Sequence, residues 1–301
     1  MHSQMSSNSI IVPIEYLLRE PFVYLIRYPY NSDNRALEDA RARVREMEAL
    51  GVKGILLEGK SVVHGLNVLG KGCTSIVVKA LLDVHGNGAC NSGDDVEDYS
   101  TNYNNDDEVI VALKMMRSDS GRVSMEHEAN MLAIANKVGI GPRLISYSKN
   151  LLAMELIDGI HMVELVKELE SKSKSSNKSN KSNFHPIHIR SILNDILEQC
   201  FLLDSIGLDH GELSNMNRHV MISNRAYIID FESSSTTRRV ANVTSAVSYI
   251  LFGRGSRVLV DILNLYTRSN EVIDALRRYR LDMSRERFNE LLTLLDLKFY
   301  K

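Results

Sequence analysis

Carboxylate and amide side chains cluster in two neighbouring stretches in the second half of the sequence. In GLDHGELSNMNRHV, Glu212 follows His210 by two positions and Asn217 follows Glu212 by five, and in AYIIDFES, Asp230 ends an apolar run. Carboxylate and amide oxygens are ligands for Mg²⁺, and a carboxylate can also accept the proton of a hydroxyl group. These types and spacings are compatible with a phosphoryl-transfer loop, although an ordinary turn would also fit them.

Two glycines, a lysine and a glutamate precede this region in elements that can position them. Gly70 and Gly72 lie between predicted strands in LGKGCTSIVV, where backbone N–H groups can approach a phosphate, although a plain hairpin is the alternative. Lys114 lies within the apolar strand VIVALKMMR, where its charge needs an anion unless the alternation points it to solvent. In the next helix Glu128, unlike Glu126, shares a face with apolar residues, so Glu128 is predicted to face inward near Lys114.

The elements around these residues indicate an α+β chain with two lobes. A strand-rich half with a single helix is followed by a mostly helical half, and the two meet near MELIDG. We predict an N-terminal extension over residues 1–60 with a charged amphipathic helix, a strand-rich lobe over 61–156 and a helical lobe over 157–301. Two polar segments, 85–108 and 171–184, have almost nothing to bury and are predicted to be loops.

Composition excludes several classes of protein. The net charge of −2 gives no basic footprint for nucleic acid, and no apolar run approaches the ~18 residues of a membrane helix. The first residues do not read as a signal peptide. The three cysteines are widely spaced without a CxxC pair, which favours a reducing cytoplasm over a disulfide framework.

The motifs, taken together in their order, resemble those of the protein kinase-like superfamily. The resemblance covers roughly residues 60 to 252, in the order Gly70, Lys114, Glu128, Glu212, Asn217, Asp230. The sequence is most similar to the atypical, RIO-like archaeal serine/threonine protein kinases that carry HGEL and IIDFES in place of HRDL and DFG. This branch lies near the RIO kinases and the small kinase of the KEOPS complex. The resemblance implies a bilobal kinase-like fold, binding of Mg-ATP and transfer of the γ-phosphoryl group to a hydroxyl.

The resemblance also implies which residues bind the nucleotide. The glycine turn would cover the phosphates, and Lys114, positioned by an ion pair with Glu128, would bind them. The full set implied for ATP binding is Gly70, Lys71, Gly72, Ser75, Lys114 and Glu155.

The same resemblance assigns the catalytic and metal-binding roles. Glu212 would position the acceptor hydroxyl, while Asn217 and Asp230 would hold Mg²⁺; Asn215 is the alternative amide, and spacing favours Asn217. Glu212 stands where Asp is usual, which keeps the acceptor chemistry and adds a methylene. Gly211 stands where Arg is usual, and no APE element follows Asp230, so we do not expect regulation by loop phosphorylation.

The leading hypothesis is an atypical serine/threonine protein kinase that uses ATP and Mg²⁺ on a protein substrate and can phosphorylate itself. An ATP-binding switch or pseudokinase, a RIO-like ATPase and a small-molecule kinase are the alternatives. The sequence predicts no membrane or nucleic-acid partner and does not indicate an oligomeric state.

Overall fold

The computed structural model describes these residues: 10–29, 34–83, 108–174 and 186–297. The chain divides into two compact units: Met1–Asn130 with Arg143–Leu156, and Met131–Pro142 with Ile157–Lys301. The predicted loop 85–108 lies outside the described residues except for Glu108, where the prediction is wrong because Glu108 begins a strand. The predicted loop 171–184 is described only over 171–174, where it is also wrong because these residues end a helix.

An antiparallel sheet of seven strands dominates the first unit. Its neighbours follow the order β1-β2-β6-β7-β9-β8, with β5 also paired to β6, while β3 and β4 form a hairpin. The strands are β1 Ile11–Pro13, β2 Val52–Leu56, β3 Ser61–Val63, β4 Leu66–Val68, β5 Gly70–Lys71, β6 Ser75–Asp83, β7 Glu108–Met116, β8 Leu144–Tyr147 and β9 Leu151–Glu155.

The two long central strands fix the position of Lys114. The sequences SIVVKALLD of β6 and EVIVALKMM of β7 are rich in β-branched and other apolar residues, which pack well on a pleated surface. Lys114 lies opposite Val77 of β6 and opposite Leu152 of β9. Its backbone is therefore held on both sides at the middle of the sheet.

The described residues among the first 60 are part of this unit. Two helices, α1 Val23–Ile26 and α2 Asn34–Ala49, accompany the strands β1 and β2. Their buried side chains, Leu25 and Met47 among them, share one core with sheet residues such as Val78 and Leu113. The helix α2 agrees with the amphipathic helix predicted from the sequence, whereas the two strands that join the sheet were not predicted.

A short helix carries Glu128. This helix, α3 Glu126–Asn136, begins in the first unit and continues into the second. At its start, Met125 and Ala129 pack against Met116 and Leu152 of the sheet. That contact turns the intervening face of α3, with Glu128, toward the sheet.

The second unit is mostly helical. Its small antiparallel sheet has the order β10-β11-β12. The elements are β10 Ile160–His161, α4 Met162–Lys174, α5 Pro186–Ser205, α6 Met216–His219, β11 Val220–Ile222, β12 Ala226–Ile228, α7 Asn242–Phe252, α8 Ser256–Leu263, α9 Ser269–Leu281 and α10 Arg285–Leu294. Aromatic side chains tie the helices together: the rings of Phe201 and Phe288 stack with centroids 4.7 Å apart, and Tyr279 packs beside them.

A strand-rich unit and a helical unit confirm the α+β, kinase-like fold class that the sequence predicted. Within the described ranges, none of the helices has the length and apolar character needed to cross a membrane.

Candidate functional site

A buried ion pair is the central feature of the first unit. Lys114 Nζ lies 2.6 Å from Glu128 Oε1, and these residues are only 4% and 2% exposed. A second cation, Arg122, donates from Nη1 to the other carboxylate oxygen of Glu128 at 3.0 Å. Because a carboxylate with two cationic donors is fully compensated, the site can keep a lysine charge in a largely dry environment.

The predicted glycine turn lies at the edge of the same sheet. Gly72 donates its N–H to the carbonyl of Ser75 at 2.8 Å, so this amide closes the turn. A Cβ at Gly70 would meet only the side chain of Val77, at 4.0 Å, so the fold itself does not require glycine there. Absence of a side chain at Gly70 therefore leaves its backbone accessible to a ligand.

Residues from outside the turn support it. Arg117 donates from Nη1 to the Gly72 carbonyl at 3.2 Å and from its backbone N–H to the Thr74 carbonyl at 2.8 Å. Lys71 and Arg117 both lie over the ring of Tyr28, at 4.9 and 5.0 Å from its centroid. Such cation–π contacts fix Lys71 on the aromatic ring. Neither Tyr28 nor Arg117 was predicted from the sequence to contribute to the site.

Two other residues predicted to bind the nucleotide also have structural contacts. Ser75 is buried at the start of β6. Glu155, at the end of β9, accepts the Arg143 backbone N–H at Oε2, at 3.0 Å. Their role toward a nucleotide stays a prediction.

In the second unit, His219 lies between the two predicted functional carboxylates. Its Nε2 is 3.9 Å from Glu212 Oε2, and its Nδ1 is 3.9 Å from Asp230 Oδ2. Glu212 and Asp230 are partly exposed, at 41% and 37% of their side chains, whereas the His219 side chain is 7% exposed. The fold thus brings Glu212 and Asp230 to the same imidazole ring.

The backbone around Asp230 is held in an unusual conformation. Asp230 has a φ of +69°, in the left-handed region that few non-glycine residues adopt. Hydrogen bonds fix the residue before it: Ile229 donates its N–H to the His219 carbonyl at 2.9 Å, and its own carbonyl lies 3.0 Å from His210 Nε2. Burial, aided by the neighbouring His219, lowers the pKa of His210 to about 4, so the ring is neutral near pH 7 and Nε2–H can donate.

Asn217 has its amide engaged by the helix α7 region. Its Oδ1 accepts the Tyr249 hydroxyl at 2.6 Å, and its Nδ2 donates to the Arg254 carbonyl at 3.2 Å. Burial raises the pKa of Tyr249 to about 12, so the phenol stays protonated and remains a donor. One lone pair of Oδ1 is thus committed, and the metal role of Asn217 stays a prediction. Asn215, the alternative amide, is exposed.

An arginine from further along the chain fills the space beside Gly211. A Cβ on Gly211 would lie 2.3 Å from Arg238 Nη2, and the φ of Gly211 is +89°. Arg238 donates from Nε to Asp209 Oδ2 at 2.5 Å and from Nη2 to the Ser233 carbonyl at 2.9 Å. Arg238 therefore connects the segment after Asp230 to the loop that carries Glu212.

A second buried network holds the start of that loop. Asn242 accepts the His210 backbone N–H at Oδ1, at 2.8 Å, and donates from Nδ2 to Asp204 Oδ1, also at 2.8 Å. The Tyr279 hydroxyl donates to the other oxygen of Asp204 at 2.8 Å. Burial raises the pKa of Asp204, but the Asn242 amide and the Tyr279 hydroxyl give each of its carboxylate oxygens a donor.

The second unit has side chains that fit a divalent cation. Asp230 offers a partly exposed carboxylate, and the buried Nδ1 of His219 has no hydrogen-bond partner. Oxygen and imidazole nitrogen are both ordinary ligands of divalent metals. Glu212, at 41% side-chain exposure, retains an accessible carboxylate for a hydroxyl group.

Comparison with known proteins identifies the family. An uncharacterized protein of Methanocaldococcus jannaschii is 30% identical over 103 residues, which are 34% of this chain and 74% of that protein. A family model described as the RIO domain matches residues 94–242. The chain belongs to the RIO-domain family. This RIO-domain segment contains Lys114, Glu128, Glu212 and Asp230.

The RIO domain is the mark of an atypical kinase and ATPase family, so a kinase-like phosphotransferase is the coarse assignment of this chain. The family typically uses ATP and Mg²⁺. The match agrees with the resemblance given by the sequence motifs.

Proposed function

We propose that this RIO-domain protein transfers the γ-phosphoryl group of ATP to a serine or threonine hydroxyl of a protein, with Mg²⁺ or another divalent cation. The observation that carries the proposal is the Lys114–Glu128 pair. A lysine and a carboxylate 2.6 Å apart, with the lysine 4% exposed in the middle of a sheet, add little net stability because desolvation offsets their attraction, so the pair indicates a functional role. In protein kinases, a lysine paired with a glutamate in this way binds the phosphates of ATP.

Each of the two units supplies groups for one part of the reaction. In the first unit, Lys114 would bind the phosphates and Gly70 would expose its backbone to them. In the second unit, Asp230 would hold the cation, with Asn217 as the further ligand expected from the motif. A bound cation would supply neutralisation of the charge that develops on the phosphate oxygens.

Glu212 would act on the acceptor. Its carboxylate would orient the hydroxyl and accept its proton as the oxygen forms a bond to the γ-phosphorus. The bond from that phosphorus to the bridging oxygen breaks, and ADP leaves with the electron pair. His219, 3.9 Å from Oε2, would help to fix the orientation of the carboxylate.

The proposal places this reaction in the cytoplasm. The described cysteines, Cys73 and Cys200, are free thiols, which fits a reducing compartment. The acceptor is proposed to be a protein, including the chain itself.

The experiment is incubation of the purified full chain with Mg²⁺ and γ-labelled ATP, with and without a general acceptor protein. Labelled protein and free phosphate are followed together, beside Asp230→Ala and Glu212→Gln. Label on protein that both variants lose supports the proposal. Free phosphate without labelled protein would favour an ATPase, and labelled small molecules alone would favour a metabolite kinase.

A further inference from the structure

His219 has a buried ring nitrogen with no hydrogen-bond partner. The residue is 6% exposed, and Nδ1 is buried without a donor or acceptor in reach. Most buried polar atoms in folded proteins have a hydrogen-bond partner, so an atom without one calls for an explanation. Asp230 Oδ2 lies 3.9 Å from this nitrogen, beyond the ~3.2 Å limit of an ordinary hydrogen bond.

The separation of these two atoms fits two ligands of one metal ion. Imidazole nitrogen and carboxylate oxygen lie about 2.1 Å from a divalent ion, so two such ligands are at most about 4.2 Å apart. The distance of 3.9 Å from His219 Nδ1 to Asp230 Oδ2 is within this limit. Both residues belong to the second unit. The backbone hydrogen bond from the Ile229 N–H to the His219 carbonyl holds Asp230, which follows Ile229, next to His219.

The other nitrogen of the ring faces a carboxylate, although at 3.9 Å the two atoms make no hydrogen bond in this structure. A histidine that binds a metal through one nitrogen commonly donates its other N–H to a carboxylate, which fixes the tautomer. His219 Nε2 lies 3.9 Å from Glu212 Oε2, and Glu212 is the carboxylate on that side. A small movement of the partly exposed Glu212 side chain would close this bond.

Asn217 is less available than His219 as the second metal ligand beside Asp230. Its Oδ1 already accepts a hydrogen bond from Tyr249 at 2.6 Å, and its Nδ2 is held by Arg254. His219 follows Asn217 by two positions and offers an unengaged donor atom instead.

We propose that His219 Nδ1 and Asp230 are ligands of one divalent transition-metal cation, with the His219 Nε2–H directed to Glu212. An imidazole ligand shifts preference from Mg²⁺ toward metals such as Mn²⁺, because Mg²⁺ prefers oxygen. The role of Asp230 in this proposal rests on the proposed phosphoryl transfer, but binding of the cation can be measured without any transfer.

The test is Mn²⁺ binding to the full chain without nucleotide, measured by electron paramagnetic resonance with a pulsed experiment that detects nitrogen ligands. Wild type is compared with His219→Gln and with His210→Gln as the matched control, because His210 is also buried, at 0% exposure against 6% for His219, and packs on His219. We expect nitrogen coupling in wild type and in His210→Gln, and none in His219→Gln. Loss of the ligand should weaken Mn²⁺ binding about tenfold or more.

The proposal is overturned if bound Mn²⁺ shows only oxygen ligands in wild type, if wild type binds no Mn²⁺, or if His219→Gln leaves the coupling unchanged. If His219→Gln does not fold, His219→Asn takes its place, and ¹⁵N-histidine labelling of wild type shows whether the coupled nitrogen belongs to a histidine. Label transfer from ATP with Mg²⁺ is followed in parallel. Label transfer without nitrogen coupling would refute His219 as a metal ligand but not phosphoryl transfer. Nitrogen coupling without label transfer would refute the proposed phosphoryl transfer but not the metal ligands.

Discussion

Replacing Glu128 with Met should destabilise the first unit far more than replacing Lys114 with Met. The Glu128 variant removes the carboxylate that lies 2.6 Å from a lysine side chain of 6% exposure. Removing one partner of a buried pair costs about 3–5 kcal/mol. In the Lys114 variant, Glu128 keeps Arg122 at 3.0 Å, so its charge stays compensated and the cost should be about 1–3 kcal/mol.

The double variant allows the interaction energy between Lys114 and Glu128 to be separated from the contacts that each makes with other residues. Replacing both members with Met puts apolar side chains into an apolar sheet, and such replacements are often near neutral. We therefore expect the double variant to be more stable than Glu128→Met alone, with a coupling energy of about 4 kcal/mol or more, because the two single costs sum to at least that value.

The assay is urea unfolding of the wild type, the two single variants and the double variant. The salt bridge of Lys79 with Glu58 is the matched control, because it lies in the same unit at 2.5 Å but with 27% and 23% side-chain exposure. Its cycle should give a coupling energy of only about 0–1 kcal/mol. Additive effects of Lys114→Met and Glu128→Met, or equal coupling in the two cycles, would refute the reasoning.

Three further perturbations follow from the second unit. Gly211→Ala should cost about 1–3 kcal/mol, because its φ of +89° disfavours a side chain and the Cβ would lie 2.3 Å from Arg238; an unchanged melting temperature would contradict this. Tyr249→Phe should lose about 1 kcal/mol in urea unfolding, since it removes the 2.6 Å bond to Asn217; wild-type stability would show that this bond contributes nothing. His210 has a pKa of about 4 in the folded chain against 6.5 ordinarily, so the unfolded chain binds more protons between these values. Stability of the chelated protein should therefore fall as the pH is lowered from 6.5 to 4, by up to about 3 kcal/mol, and a His210→Gln variant with the same pH dependence would rule out this cause.

Local sequence patterns predicted the inward position of each residue of the Lys114–Glu128 pair. The apolar neighbours of Lys114 predict a strand in which its charge needs an anion, and the helical spacing of 3.6 residues puts Glu128 on the apolar face of α3. Both arguments use neighbours within one element, so no tertiary information is needed. The α+β fold class was predicted in the same way, because the strand-rich and helical segments can each be recognised from their local sequence.

Short or interrupted strands and helix ends were not predicted from the sequence. The strand β1 has three residues, Ile11–Pro13, and β2 contains Gly54, so neither shows an alternating pattern of useful length. The helix α4 runs four residues, 171–174, into the Lys- and Ser-rich segment that was predicted to be a loop. These elements form because the sheet and core provide partners that the local sequence does not reveal.

The contacts that shape the second unit connect residues far apart in sequence. Tyr249 reaches Asn217 across 32 positions, and Arg238 reaches Asp209 across 29. Nothing in either local sequence marks the partner. His219 was visible as a histidine inside the quoted motif, but its position between Glu212 and Asp230 depends on how the loop and the following strands fold together.

The central claim is that Glu212 is the carboxylate that acts on the acceptor hydroxyl. The most direct measurement is the single-turnover rate of label transfer from γ-labelled ATP to protein for wild type, Glu212→Asp and Glu212→Gln. We predict that Glu212→Gln slows transfer by about 10²–10⁴-fold, because the amide cannot accept the proton, while Glu212→Asp keeps measurable transfer. Transfer by Glu212→Gln at the wild-type rate would contradict the account.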